Sequence, residues 1–138
     1  MRPPDFIVGP PSDPYLLRWF LIPRNRWFNV YLHKFMRSDD DRALHDHPWW
    51  SLSLLLKGQY VNHTPDGSAI RRRFSIMLMN ATSPHRVELL DANPVWTLFI
   101  TGPRVREWGF WCPQGWRHWK EFVSVTDAGN ETGKGCEE

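Results

Sequence analysis

Apolar and polar positions alternate in short blocks along most of this chain, and turn-forming residues separate the blocks about every ten positions. WSLSLLLK (50–57) alternates with period two and predicts a strand closed by Gly58, and WFNVYLHKFM (27–36) is rich in β-formers and predicts a long one. QYVNHT (59–64) and AIRRRF (69–74) flank a Pro-Asp-Gly turn and predict a hairpin. SIMLMN (75–80), HRVELL (85–90), VWTLFIT (95–101) and VREWGFW (105–111) continue the series, punctuated by ATSP, DANP and Gly-Pro. Two segments stay open at this level: YLLRWFLI (15–22) fits a short helix or a first strand, and GWRHWKEFVS (115–124) a strand or a short helix. Residues 1–14 hold five of the twelve prolines and read as an extended arm, and TDAGNETGKGCEE reads as a flexible tail. The pattern predicts one all-β domain over 1–138, with its core in about 19–123, closed as a sandwich or barrel.

Composition sharpens this picture in a few places. Nine Trp among 138 residues imply a core or pocket lined with aromatic rings. A net charge of +2 argues against a general nucleic-acid binder, although 13 of the 17 basic residues are Arg. That excess fits recognition of carboxylate or phosphate groups, or simply a GC-rich coding sequence. The Arg run at 71–73 fits a solvated sheet edge. No apolar stretch reaches the roughly 20 residues of a membrane span, and the N-terminus shows no signal-peptide pattern. A cytoplasmic protein with no membrane partner is expected. Cys112 and Cys136 make no disulfide framework, and a single bridge between them is left open.

The candidate chemistry lies in DRALHDHPWWSLSLLLKGQY (41–60). On a strand, residues two apart face the same way, roughly 6–7 Å apart, so His45 and His47 can lean onto one ion. His85 follows a Ser-Pro turn at the entrance to a later strand and supplies a third imidazole. Three neutral imidazoles suit a divalent first-row metal. The run resembles the first motif of the cupin family, HxH followed by three or four residues, Glu, six residues and Gly; here Ser51 stands in the glutamate slot and Gly58 in the glycine slot. SPHRVELL resembles the second motif loosely, without its PxG and with Leu89 where an asparagine is usual. The resemblance covers residues 27–111 and implies a cupin-type double-stranded β-helix, a jelly-roll barrel pairing as a homodimer. With three histidines and no glutamate, the chain resembles the thiol dioxygenases of the cysteine dioxygenase type and the diketone-cleaving dioxygenases. That implies Fe(II), with Zn, Ni or Mn as alternatives, and open positions for O₂ and a small anionic or chelating substrate.

Around this centre, alternation puts Trp49 on the His47 face and turns Asp46, Trp50 and Glu88 away. Ser51 is a candidate to hydrogen-bond a metal-bound water. His33, sharing a strand with Asn29, Tyr31 and Phe35, is a candidate acid–base group or a core histidine, and Tyr31 a candidate pocket wall. Arg26, Arg42 and Arg86 are candidates to clamp a substrate carboxylate, since a guanidinium forks onto two oxygens. Three functions follow: a metal-dependent dioxygenase, a non-catalytic ligand-binding or interaction cupin, and a sugar-nucleotide isomerase or epimerase. The last needs His33 or His85 paired with one of Asp39, Asp40 or Asp41.

Overall fold

The computed structural model describes residues 2–10, 12–38, 43–91 and 93–119, and every element in it is a strand. A six-stranded antiparallel sheet runs β1 (Phe6–Val8), β2 (Leu16–Phe20), β3 (Asn29–Phe35), β10 (Val95–Thr101), β5 (Ser51–Lys57) and β8 (Ile76–Met79). Two three-stranded sheets face it. One holds β12 (Gly115–His118), β11 (Gly109–Cys112) and β4 (Leu44–His45); the other holds β7 (Gly67–Arg71), β6 (Tyr60–Thr64) and β9 (Arg86–Leu89).

Both segments left open by the sequence are strands in the described part, β2 and β12. The N-terminal arm is not wholly irregular, because Phe6–Val8 pairs along β2 and extends the large sheet by one edge. The Thr64–Gly67 turn closes the β6–β7 hairpin, with Thr64 Oγ1 accepting from the Asp66 N–H at 3.3 Å. Gly58 turns β5 into β6 with φ of +90° and its α-carbon facing Val95, a backbone that a side chain would strain. Cys112 is disulfide-bonded, and Cys136 lies outside the described residues.

Period-two burial in β3, β5 and β10 gives the large sheet two distinct faces, and register carries them into β2, where Trp19 is also buried. Inward stand Leu16, Arg18 and Phe20 from β2, with Asn29, Tyr31, His33 and Phe35 from β3. Thr97, Phe99 and Thr101 from β10, and Ser51, Ser53 and Leu55 from β5, complete the inner face. One end of this interior is apolar, a cluster of Leu55, Tyr60, Val87 and Val95 with Phe35 and Leu89 against it. The other end is polar: Asn29, Ser51 and Thr101 share one cross-strand row, all buried. A barrel sealed by hydrocarbon at one end and lined by hydroxyls and amides at the other is closed below and chemically furnished above. No helix among the described residues is long and apolar enough to cross a membrane.

Candidate metal centre

The two small sheets meet at a single β-bridge, and its members are His45 and His85. Each backbone N–H donates to the other's carbonyl at 2.9 Å, the closed pairing of an antiparallel ladder, which puts both side chains on one face. On the far side of β4, His45 is paired with Phe110 of β11. The expectation placed both HxH histidines on one strand. Instead β4 ends at His45, and His47 lies in the connection to β5, where its N–H donates to the Ala81 carbonyl at 3.0 Å. The ring centroids of His45, His47 and His85 are 4.8 to 5.1 Å apart, and one ligand nitrogen from each lies within 4.8 Å of the others.

The donor set suits a metal ion. His85 Nδ1–H donates to the buried Asn62 Oδ1 at 2.7 Å, which fixes the tautomer in which Nε2 carries the lone pair. His47 Nδ1 is buried with no protein partner. Burial first, then the charges of His45, His85, Arg18 and Arg106, hold the His47 pKa well below its usual value, so the ring is neutral and its lone pair available. Trp49 stacks on His47 at 5.1 Å and 21°, and meets Phe99 edge-on at 5.6 Å, walling the interior with aromatic surface.

Between the two HxH histidines, Asp46 faces the opposite way and is 1% exposed. Its Oδ1 accepts from the Gly109 N–H at 2.8 Å and from Arg106 at 3.0 Å; its Oδ2 accepts from the indoles of Trp111 at 3.1 Å and Trp116 at 3.0 Å. Arg106 also donates to the His47 carbonyl at 3.1 Å. A buried carboxylate with four donors, one of them a cation, is fully compensated. It clamps the histidine segment onto the β11–β12 hairpin. The tryptophan-dense stretch 108–119 is therefore a bracket, with Gly109 indispensable because a β-carbon there would strike the Arg117 carbonyl.

The remaining sequence candidates scatter. Ser51 is buried at the head of β5, paired with Thr101 and Met79. Tyr31 is buried on the inner face beneath the Arg18 guanidinium, 4.5 Å from the ring centroid. His33 is buried, its Nε2 accepting from Arg18 Nε–H at 2.9 Å. Burial and then the Arg18 charge keep its pKa well below the ordinary range, so the proton expected of an acid–base group is replaced by a structural hydrogen bond. Arg26 is exposed, over the Trp27 ring at 4.8 Å. Arg86 opposes His63 on the outer face of its sheet, because the inward positions of that strand fall to His85 and Val87. Arg42 and Asp39–Asp41 lie outside the described residues. On that outer face Glu88 holds His63 at 2.9 Å, and in the other small sheet His118 pairs with Glu107 at 3.4 Å, so neither histidine joins the cluster.

Asn62, Asp46, Arg106 and Arg18 were missed. Arg18 had a signal, as the one polar residue of the strand LLRWF, and Asn62 had a weaker one, in phase with the apolar Tyr60 in YVNHT.

No protein-family model and no curated protein matches the sequence. Solved structures do. A cupin-2 domain from Rhodospirillum rubrum aligns with a TM-score of 0.64 at 11% identity, over 80% of this chain and 76% of that one. A sugar phosphate isomerase of the cupin superfamily from Silicibacter pomeroyi aligns at 0.57 and 14%, over 75% and 74%. The DMSP lyase DddQ from Ruegeria pomeroyi aligns at 0.54 and 14%, over 64% of this chain but only 47% of the lyase. At these identities the likeness concerns the fold. The chain has the cupin fold, a double-stranded β-helix, with three histidines gathered where the two halves of its second sheet join.

Proposed function

We propose that this is a mononuclear metal-binding cupin that acts as a dioxygenase on a small anionic or chelating substrate. His45, His47 and His85 are its ligands, and Fe(II) is its metal ahead of Zn, Ni or Mn. The observation that carries the reading is the His45–His85 bridge with His47 beside it, three imidazoles brought together by the backbone and oriented by Asn62. Iron held this way supplies O₂ activation and a template for substrate. The chain's own residues do the rest. Asn62 fixes the His85 tautomer, Asp46 and Arg106 hold the segment carrying His45 and His47, and Trp49 with Phe99 keeps water from the inner wall. Ser51 offers a hydroxyl where a glutamate would add negative charge, which keeps the site positive and favours an anion. The isomerase reading needs a histidine–carboxylate dyad; His33 is bonded to Arg18, and Asp39–Asp41 lie outside the described residues, so the gathered imidazoles favour the metal reading.

We also propose a homodimer, formed through the outer face of the large sheet. Two cross-strand rows there are wholly apolar: Leu32, Leu98, Leu54 and Ile76, then Val30, Ile100, Leu52 and Leu78. Ile76 is 64% and Leu78 70% exposed on an edge strand, a surface that a second copy would cover.

The test is O₂ consumption by the Fe(II)-reconstituted protein with panels of small thiols and diketones. Substrate-dependent uptake that His85→Ala abolishes supports the reading. Stoichiometric metal without uptake on either panel would make the barrel a non-catalytic ligand-binding module.

A further inference from the structure

One charged side chain on the inner face has no role in the metal centre. Arg18 sits mid-strand in β2, directly across from His33, and reaches over the Tyr31 ring, one row nearer the polar end. Its Nε–H is committed to His33 Nε2, and Phe6 lies 5.9 Å from its guanidinium carbon. No carboxylate pairs with it among the described residues, and the other cation acting on it, Arg24, adds like charge. Burial pulls its pKa down to about 10, which still leaves it charged at neutral pH. A guanidinium carries five N–H donors; with Nε–H used, the terminal fork remains, and a half-buried cation without an anion is costly.

A second observation points the same way. His33 Nδ1, Thr97 Oγ1 and Thr101 Oγ1 are buried with no hydrogen-bond partner. His33 and Thr97 are direct cross-strand partners, and Thr101 lies in the Asn29–Ser51 row at the polar end. The Phe99 ring lies 4.7 Å from His33 and 5.6 Å from Trp49, which stacks on His47 at 5.1 Å, so Arg18 with its His33 partner and the histidine cluster share one interior. Orphaned polar atoms in such a column are the mark of a polar guest.

We propose that Arg18 is the anion receptor of the barrel, binding the carboxylate of a small ligand whose other end faces His45, His47 and His85. The second half of this statement rests on the metal reading; the first does not. One planar fork matches the two oxygens of a carboxylate. A phosphate dianion asks for more positive charge than a single inward guanidinium supplies. His33 is the positioning residue, holding Nε so that the fork turns inward.

The experiment titrates chelator-treated and metal-loaded protein with propionate, inorganic phosphate and propanol, read by calorimetry and tryptophan fluorescence. Expected is saturable propionate binding without metal, phosphate weaker by about tenfold or more, and no binding of propanol. Arg18→Gln should weaken propionate by about 10- to 100-fold. Arg18→Lys should fall between, because an ammonium keeps the charge without the fork. If Arg18→Gln does not fold, the lysine variant and the propionate-to-phosphate ratio decide. Equal affinity for both anions, undiminished binding in Arg18→Lys, or no propionate binding by the wild type overturns the proposal. Propionate binding in a protein that takes up no metal would sink the metal reading and leave Arg18 standing.

Discussion

Replacing Asp46 with asparagine keeps the shape of the side chain and removes the charge on which four donors converge. An amide has one acceptor oxygen. With that oxygen in the place of Oδ1, the amide nitrogen points its own hydrogens at the indole N–H groups of Trp111 and Trp116; turned over, it confronts Gly109 and Arg106. Either orientation loses two hydrogen bonds to a charged acceptor, each worth about 1.5–3 kcal/mol. The Arg106 share is discounted, since that side chain is 28% exposed and partly screened. The variant should therefore be about 3 kcal/mol less stable, a fall of roughly 10 °C in Tm for a domain of this size. Urea unfolding followed by circular dichroism measures the loss. Trp116→Phe removes one of the four donors, so the double variant should lose about 1 kcal/mol less than the sum of the singles. A loss below 1 kcal/mol for Asp46→Asn, at unchanged m-value, would refute the view that this carboxylate clamps the histidine segment to the hairpin.

Asn62→Ala removes the acceptor that orients His85 and should cost about 10- to 100-fold in metal affinity with little change in fold, measured by competition with a chromophoric chelator; unchanged affinity would remove Asn62 from the centre. His33 refuses a proton in the fold that it accepts near pH 6.5 when unfolded. Stability should thus be full above that pH and fall below it, by up to about 1.4 kcal/mol per unit. His33→Gln should flatten the urea midpoint between pH 7.5 and 5.5 relative to wild type, and an unchanged slope would mean that the ring is protonated in the native state. Leu78→Lys places a charge on the exposed apolar row and should shift sedimentation from dimer to monomer without unfolding; a wild type already monomeric would contradict the proposed dimer face.

The sequence made much of the architecture legible because strands here are short, alternating and bounded by turn residues, as in WSLSLLLKG and the Thr64–Gly67 hairpin. β2 stayed open because YLLRWFLI is apolar nearly throughout, a run that period-two and helical readings fit alike. Its one charged residue, Arg18, faces inward, so the exception in the pattern marks a half-buried cation. The three histidines could be chosen from motif spacing, but the reason they meet could not. His45 and His85 are forty residues apart and are joined by a backbone bridge that no local pattern encodes. The same holds for Asp46, where alternation told which way the carboxylate points but not that two distant tryptophans and Arg106 would meet it there. Arg42 and Arg86 stand close in sequence to the motif histidines, whereas Arg18 reaches the interior through strand pairing.

The central claim is that His45, His47 and His85 form one metal site. The direct measurement is metal per chain by mass spectrometry on protein expressed with Fe, Zn, Mn and Ni and purified without a metal-affinity tag, beside a His45→Ala/His47→Ala control. Near-stoichiometric metal in the wild type that disappears in the double variant is the predicted result. Wild-type protein that takes up almost no metal even after reconstitution, or a double variant that retains it, would contradict the account.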